Sequence, residues 1–401
     1  MSSLSNKRIV LGVTGSIAAY KAVDLASKLT QAGAQVDVIL SEAAGKFVTP
    51  LTFQSVTGRR AYVDGDLWGN EAHVIHVQLG HTADLLVIAP CTANTIAKLA
   101  HGQADSLLTV TTLAMRSSLL LAPAMDGGMY DHPATQENIT TLKKRGVNFI
   151  GPAAGHLASG LAGVGRMVET AEIMGHIRVM LGRNGPLAGK KVVVTAGGTQ
   201  EPLDPVRVLT NRSSGKQGYA LAQAALDLGA QVTLITTPTA LTPPPGAHLV
   251  SVETAKQMLE AVLQESAASD ALVMAAAVAD FRPKNISRNK LKKADGIPQV
   301  ELEATEDILK AVASQGPKRP RLVVGFAAES RDLLENAAHK LKSKGLDFIA
   351  ANDISASDAG FAVETNRITL LFADGHQEAL SLMSKAEVAE VILGRVAKLL
   401  E

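Results

Sequence analysis

Residues 8–40 read "RIVLGVTGSIAAYKAVDLASKLTQAGAQVDVIL", and residues 191–235 read "KVVVTAGGTQEPLDPVRVLTNRSSGKQGYALAQAALDLGAQVTLI". Both stretches run in the same order: an all-apolar segment, a glycine-containing turn, an amphipathic helix, a "GAQV" and a second apolar segment. A strand covered on both faces reads as a continuous apolar run, so each stretch is a βαβ unit of a parallel sheet. The repeat predicts two α/β three-layer domains with largely parallel sheets. The second copy sets a domain start near residue 190. The Gly/Pro-rich, basic "GRNGPLAGK" (182–190) before it reads as a linker. The predicted domains are residues 1–189 and 190–401.

More apolar runs follow in each half. They are "DLLVIAP" (84–90), "SLLLAPA" (118–124) and "VNFIGPA" (147–153), then "LVMAAAVAD" (272–280), "LVVGFAAE" (322–329), "DFIAAND" (347–353) and a late pair around "RITLLFADG" (367–375). Helical patterns such as "PATQENITTLKKRG" and "SRDLLENAAHKLKSKG" lie between them. Ligands of such sheets bind at the carboxyl ends of the strands. Those ends are rich in small and polar residues in both halves, which predicts two binding sites.

Composition excludes several classes. The 401 residues are 46% hydrophobic but 3% aromatic, so the core is aliphatic. A net charge of +1 gives no global pull toward nucleic acid or an anionic membrane. The one cysteine, Cys91, leaves no internal disulfide and no cysteine-rich zinc site, which fits a reducing cytoplasm. The N-terminal apolar run is too short for a signal peptide, and no uninterrupted apolar stretch reaches membrane-spanning length.

A dinucleotide site calls for G-x-G-x-x-G and an acidic residue about 20 positions on. The first turn offers Gly12 and Gly15 alone, and Ser41 stands where the ribose carboxylate would be. The second half has Thr236 and Thr237 there. A nicotinamide oxidoreductase is therefore disfavoured. Ser16, Ser41, Thr92, Asn94 and Thr95 supply short hydroxyl and amide groups, which suit one phosphate and a polar ring edge; a mononucleotide such as FMN fits. Helix capping is the competing reading for each of them. His73, His76 and His81 lie close in sequence, but no carboxylate or thiol at ligand spacing supports a metal. His76 is either a base facing a flavin or a buried structural histidine.

Four segments, "GSIAAYK" (15–21), "PCTANTIAKLAHGQADSLL" (90–108), "PAMDGGMY" (123–130) and "GLAGVGRM" (160–167), resemble the flavin-dependent cysteine decarboxylases. Five others resemble phosphopantothenate–cysteine ligase: "TAGGTQEPLDPVRVLTNRSSGKQG" (195–218), "AAAVADF" (275–281), "NKLKK" (289–293), "VVGFAAE" (323–329) and "ANDIS" (351–355). In this order they are similar to the bifunctional coenzyme A biosynthesis family, over nearly the whole chain. The resemblance implies a flavodoxin/Rossmann-like flavoprotein domain followed by a Rossmann-like ligase domain. It implies FMN held by Gly15, Ser16, Ser41, Thr92, Asn94 and Thr95, commonly at a trimer contact, with His76 as the active-site histidine.

Two positions depart from the family pattern. Asp126 replaces an asparagine that would bind the substrate carboxylate. Ser159 stands in the flap "GHLASGLAGVGRM" (155–167) where the family often has a proton-donating cysteine. A hydroxyl is a far weaker acid than a thiol. A protonated Asp126, its acidity lowered by burial, is expected to bind the carboxylate and supply the proton, with Ser159 as relay. The alternative is a flavin-binding scaffold, or a domain that stops at the enethiol.

Joining a carboxylate to an amine requires activation by a nucleoside triphosphate, hence a glycine-rich strand–helix turn, lysines and Mg²⁺. "TAGGT" (195–199) and "SSGKQG" (213–218) supply the turns, and no P-loop is present. Lys290, Lys292 and Lys293 form a basic loop cluster, and Lys340 and Lys344 share a helix face. A solvated surface is the alternative for any of these lysines. The resemblance implies that Asn211 stabilises an acyl-cytidylate and that Lys290 acts in its conversion with cysteine. It assigns CTP to Lys290, Asp280, Phe326, Lys340, Lys344, the backbone of Ala275, Ala276 and Ala277, and Asp307 and Ile308 of "TEDIL". Asp280 is the candidate for Mg²⁺. The implied partners are phosphopantothenate, cysteine, CTP and further copies of the chain: flavin-domain trimers and ligase-domain dimers combined.

Overall fold

The computed structural model describes residues 3–68, 74–158, 160–292, 297–329, 331–353 and 365–401. The chain forms two compact units, Ser2–Leu181 and Gly182–Glu401.

In the first unit, β1 (Arg8–Val13), α1 (Ala19–Gln31) and β2 (Gln35–Leu40) form the βαβ unit read from the sequence. After a short helical turn come α2 (Pro50–Thr57), β3 (Ala61–Val63), α3 (Ile75–Thr82), β4 (Leu85–Cys91), α4 (Ala93–His101), α5 (Leu107–Ala114) and β5 (Ser118–Pro123). Then follow α6 (Gly127–Asp131), α7 (Pro133–Lys144), β6 (Asn148–Phe149), the hairpin β7 (Ala153–His156)–β8 (Ala162–Arg166), and α8 (Thr170–Gly182). The six-stranded sheet has the order β3-β2-β1-β4-β5-β6 with all pairs parallel, the order of a Rossmann sheet. Successive residues of β1 face opposite layers. Ile9, Leu11 and Val13 pack with Leu25 and Leu29 of α1 on one side. Val10 packs with Ile88, Leu107 and Leu108 on the other. The predicted strand 147–153 is two pieces. Gly151 adopts φ +74°, and Pro152 has no N–H to extend the ladder.

The second unit repeats the plan. It contains β9 (Lys191–Ala196), the hairpin β10 (Gln200–Pro202)–β11 (Val208–Thr210), α9 (Lys216–Asp227), β12 (Gln231–Thr236), β13 (His248–Ser251), α10 (Ala255–Ser266) and β14 (Ala271–Met274). The ribbon β15 (Phe281–Pro283)–β16 (Leu302–Ala304) follows, with α11 (Ile308–Ala313), β17 (Leu322–Glu329), α12 (Leu333–Ser343) and β18 (Phe348–Asp353). β19 (Thr365–Asn366), β20 (Ile368–Phe372), β21 (Gln377–Ala379), β22 (Met383–Ser384) and α13 (Lys385–Leu400) complete it. The sheet order is β13-β12-β9-β14-β17-β18-β20-β21. Its first six strands are parallel in the same 3-2-1-4-5-6 sequence, and β20 and β21 add an antiparallel edge. The strand read as 272–280 stops at Met274, because Ala276 and Ala277 turn their N–H groups to Thr195 Oγ1 (3.0 Å) and Gly197 O (2.8 Å). The stretch read as a linker is packed within this unit: Leu187 is buried and its N–H donates to Leu228 O at 2.8 Å.

Candidate active sites

Gly15 and Ser16 follow β1, Ser41 follows β2, and Thr92, Asn94 and Thr95 follow β4. Parallel strands bring these ends together, and all six residues line one cavity of about 640 Å³. The turns are tied to each other: Thr14 Oγ1 donates to Pro90 O (2.8 Å) and accepts from Thr92 N (3.1 Å). Glycine is required at 15, where a Cβ would collide with the Cβ of Ala43. The hydroxyls also accept from nearby backbone N–H groups, and Thr92 caps α4. Thr92 Oγ1 accepts from Thr95 N (3.3 Å), Ser41 Oγ from Ala44 N (3.2 Å) and Ser16 Oγ from Ala18 N (3.3 Å). Capping and lining are thus compatible roles. Sequence reading missed the carboxylates of this cavity, Glu42, Asp64 and Asp105, and the Lys98 that pairs with Asp105 at 2.7 Å. Lys98 holds the Asp105 carboxyl below its ordinary range. A backbone turn that admits nothing larger than glycine, ringed by hydroxyls at a helix start, fits the phosphate end of a mononucleotide.

A second cavity of about 540 Å³ shares Ser16, Ala124 and Met125 with the first and adds Asp126, His156 and Arg166. Its roof is the β7–β8 hairpin, most of the flap segment. Gly165 O accepts from Met125 N at 3.0 Å, and a Cβ on Gly165 would strike Met125 O. Asp126 is half-buried rather than enclosed. Its Oδ1 accepts from Gly128 N (2.9 Å) at the start of α6. Glu169, at the rim, accepts from Lys21 Nζ (2.9 Å) and Arg166 Nη2 (3.1 Å), and Lys21 holds its carboxyl below the usual range. His156 was not anticipated; only its place on the flap pointed to it. His76 sits half-buried on α3 and lines neither of these two cavities. Ser159, His73 and Lys293 lie outside the described residues.

The second unit holds a cavity of about 410 Å³ at the same edge of its sheet. Ala275, Ala276, Ala277, Asp280, Asp307, Ile308, Phe326, Lys340 and Lys344 all line it, with the turn Ser213–Gly218. Gly218 lies so close to β9 that a Cβ would be 2.5 Å from Ala196 Cβ and 2.7 Å from Thr195 O. Lys344 Nζ pairs with Asp307 Oδ2 at 3.4 Å, and Asp307 Oδ1 caps α11 through Lys310 N. Asn211 does not line the cavity but holds its wall: Nδ2 donates to Ala277 O (3.3 Å) and Val278 O (3.2 Å). Lys290 is exposed on the loop after β15 and is not a lining residue. Among the described residues no group of three or more His, Cys, Asp or Glu could hold a metal by itself.

Sequence reading missed the deep polar wall. Asn366 Nδ2 donates to Gln217 Oε1 (2.8 Å), Gln217 Nε2 to Lys385 O (3.2 Å), and Asn352 Nδ2 to Asn366 Oδ1 (3.5 Å). All four residues line the cavity, and Asn352 Oδ1 is buried without a partner among the described residues. Gln217 and Asn352 stood in motifs already noted; nothing singled out Asn366 or Lys385.

Comparison with known proteins follows the same division. The family described as Flavoprotein matches residues 1–182, and the family described as DNA/pantothenate metabolism flavoprotein C-terminal domain matches 187–400. The coenzyme A biosynthesis bifunctional protein CoaBC of Bacillus subtilis is 47% identical over 399 residues, covering 99% of this chain and 98% of that one. The chain belongs to the bifunctional coenzyme A biosynthesis family. A CoaBC relative from Vibrio parahaemolyticus is 44% identical over 404 residues and the full length of both chains. Among solved structures, the C-terminal domain of a family member is 42% identical with a TM-score of 0.46, over 54% of this chain and 98% of that one.

Proposed function

We propose that the chain makes 4′-phosphopantetheine from 4′-phosphopantothenate and cysteine, with residues 190–401 as ligase and residues 1–189 as decarboxylase. One observation carries the reading. In two sheets of like order, the carboxyl edge gathers into cavities the residues that the family resemblance names for FMN and, Lys290 apart, for CTP.

In the ligase step CTP activates the phosphopantothenate carboxylate, releasing pyrophosphate; the cysteine amine then displaces CMP. Lys340 and Lys344 offset phosphate charge, Asp280 would hold Mg²⁺ together with the nucleotide phosphates, and the glycine turn lets phosphates approach the start of α9. Asn211 keeps the 277–278 carbonyls in place beside the acyl-cytidylate, and Lys290 acts in its conversion with cysteine.

In the decarboxylase step a bound FMN would supply the two-electron oxidation of the cysteinyl thiol that labilises the carboxylate, and the matching two-electron reduction of the enethiol to the saturated product. The turns of Gly15, Ser16, Ser41, Thr92, Asn94 and Thr95 hold its phosphate and ring edge. Asp126 meets the substrate carboxylate, Ser159 relays the proton and the flap excludes water; His76, which lines neither cavity of its own chain, acts as base from a neighbouring copy.

Exposed apolar side chains support a homo-oligomer built through both units. They include Val206, Val208, Leu209, Phe281 and Leu302 on the ligase ribbons, and Tyr20, Leu161 and Val164 near the flap. No helix of the described residues is long and apolar enough to cross a membrane. We place the enzyme in the cytoplasm, with its small-molecule substrates.

A one-pot assay with phosphopantothenate, cysteine and CTP, read by mass spectrometry, tests the whole reading; phosphopantetheine is the expected product. Phosphopantothenoylcysteine alone would reduce the first unit to a scaffold, and an enethiol would point to failed proton delivery. Asp126→Asn should slow formation of the saturated product. Product at the native rate would remove Asp126 as the acid.

A further inference from the structure

The β10–β11 hairpin has different partners at its two ends. At its base Gly198 bridges to Ala277, and Asn211 grips the Ala277 and Val278 carbonyls, so this end fixes the cavity wall. At its tip stands Asp204, whose side chain is fully buried. Oδ1 accepts from Val206 N and Arg207 N, both at 2.8 Å, which closes the turn. Oδ2 accepts from Arg207 Nε (2.9 Å) and Nη2 (2.6 Å), and also from Leu291 N (3.1 Å), 87 positions away. Arg207 Nη2 in turn donates to Leu291 O at 2.6 Å. One residue beyond Lys290 is therefore held by both its N–H and its carbonyl. On the other side of Lys290, Ser287 N donates to Leu203 O at 3.1 Å.

We infer that Asp204 is a positioning residue of the ligase: with Arg207 it clamps the Leu291 backbone and so fixes where Lys290 stands relative to the cavity wall. The inference rests on the ligase reading above. A carboxylate that only closed its own turn would need Oδ1; the bond from Leu291 uses the other oxygen. Burial alone would raise the Asp204 carboxyl, but Arg207 and the N–H groups of Val206, Leu291 and Arg207 outweigh it and hold the acid well below its ordinary range. The clamp is thus charged at any working pH. An asparagine would keep the turn bonds through Oδ1 while turning an NH₂ toward Arg207 and Leu291 N–H.

The test uses the full chain in four forms: wild type, Asp204→Asn, Lys290→Ala and the double variant. Asp204→Asn should lower ligation kcat about tenfold in the wild-type background and less than about twofold beside Lys290→Ala, with KM for CTP nearly unchanged. An equal factor in both backgrounds overturns the inference. Limited trypsin digestion gives a readout without activity. Cleavage after Lys290 and Lys292 should quicken in Asp204→Asn, and an unchanged rate in a variant with a native melting curve also overturns it. Arg207→Lys preserves the charge but removes the second arm, so it should show a smaller effect with the same dependence on Lys290. Should the wild type ligate nothing, the ligase reading fails, while the trypsin comparison still tests the clamp.

Discussion

The two units share a strand order and differ in what they place at its carboxyl edge. The first gathers hydroxyl and amide side chains on short turns, with carboxylates around them. The second gathers Lys340 of α12 and Lys344 just beyond it, a glycine turn, and a wall of Ala275–Ala277 backbone held in place by an added hairpin. Topology decides where a ligand sits. The residues of the turns decide which ligand it is.

Glycine substitutions should break this comparison most sharply. Gly15→Val should abolish flavin binding, seen as loss of the yellow absorbance, with ligase kcat within about twofold of wild type. Gly218→Val should do the reverse, costing about a hundredfold in ligation because a misplacement near 1 Å is enough for that. A variant that silences both activities would show that the two edges are not independent.

The next effect in size concerns charge. Lys340→Ala or Lys344→Ala should each raise KM for CTP about tenfold, as expected for losing a hydrogen bond from a charged group, and leave flavin content alone. No change would return these lysines to the solvated surface.

The smallest effect is a pH dependence confined to the first unit. Glu169, paired with Lys21, has its folded pKa lowered from an ordinary value of 4.5. Its stabilisation is therefore present above that value and lost as pH falls below it, through the lower folded value. Glu169 is mostly exposed although Lys21 is not, so the pair is worth less than about 1 kcal/mol. Lys21→Met should lower the melting temperature slightly at pH 7, and the difference from wild type should vanish in stronger acid. A difference that persists there would assign it to packing of the lysine stem.

Much of this was legible in the chain. The apolar runs and the repeated "GAQV" indicated two parallel sheets, since strands covered on both faces leave a dense signal. Turn residues at strand ends pointed to the cavities for the same topological reason. Short antiparallel ribbons gave no such signal: β10, β11, β15 and β16 span three residues each, too few for a period to show. Contacts such as Asp204 to Leu291, or Gln217 to Asn366, join positions far apart in sequence and leave no local pattern. Lys290 carried a family role and read as a loop residue, but its standing outside the cavity lining could be seen only in three dimensions.

Cys91, at the end of β4, is completely buried, and burial pushes its thiol far above the ordinary range. It is the chain's one sulfhydryl. Disulfide exchange needs an accessible thiolate, so this protein has no partner to offer its own sulfur-bearing substrate. Cysteine and the thiol product can pass through both halves without being captured as mixed disulfides, and an oxidised preparation should lose substrate rather than enzyme.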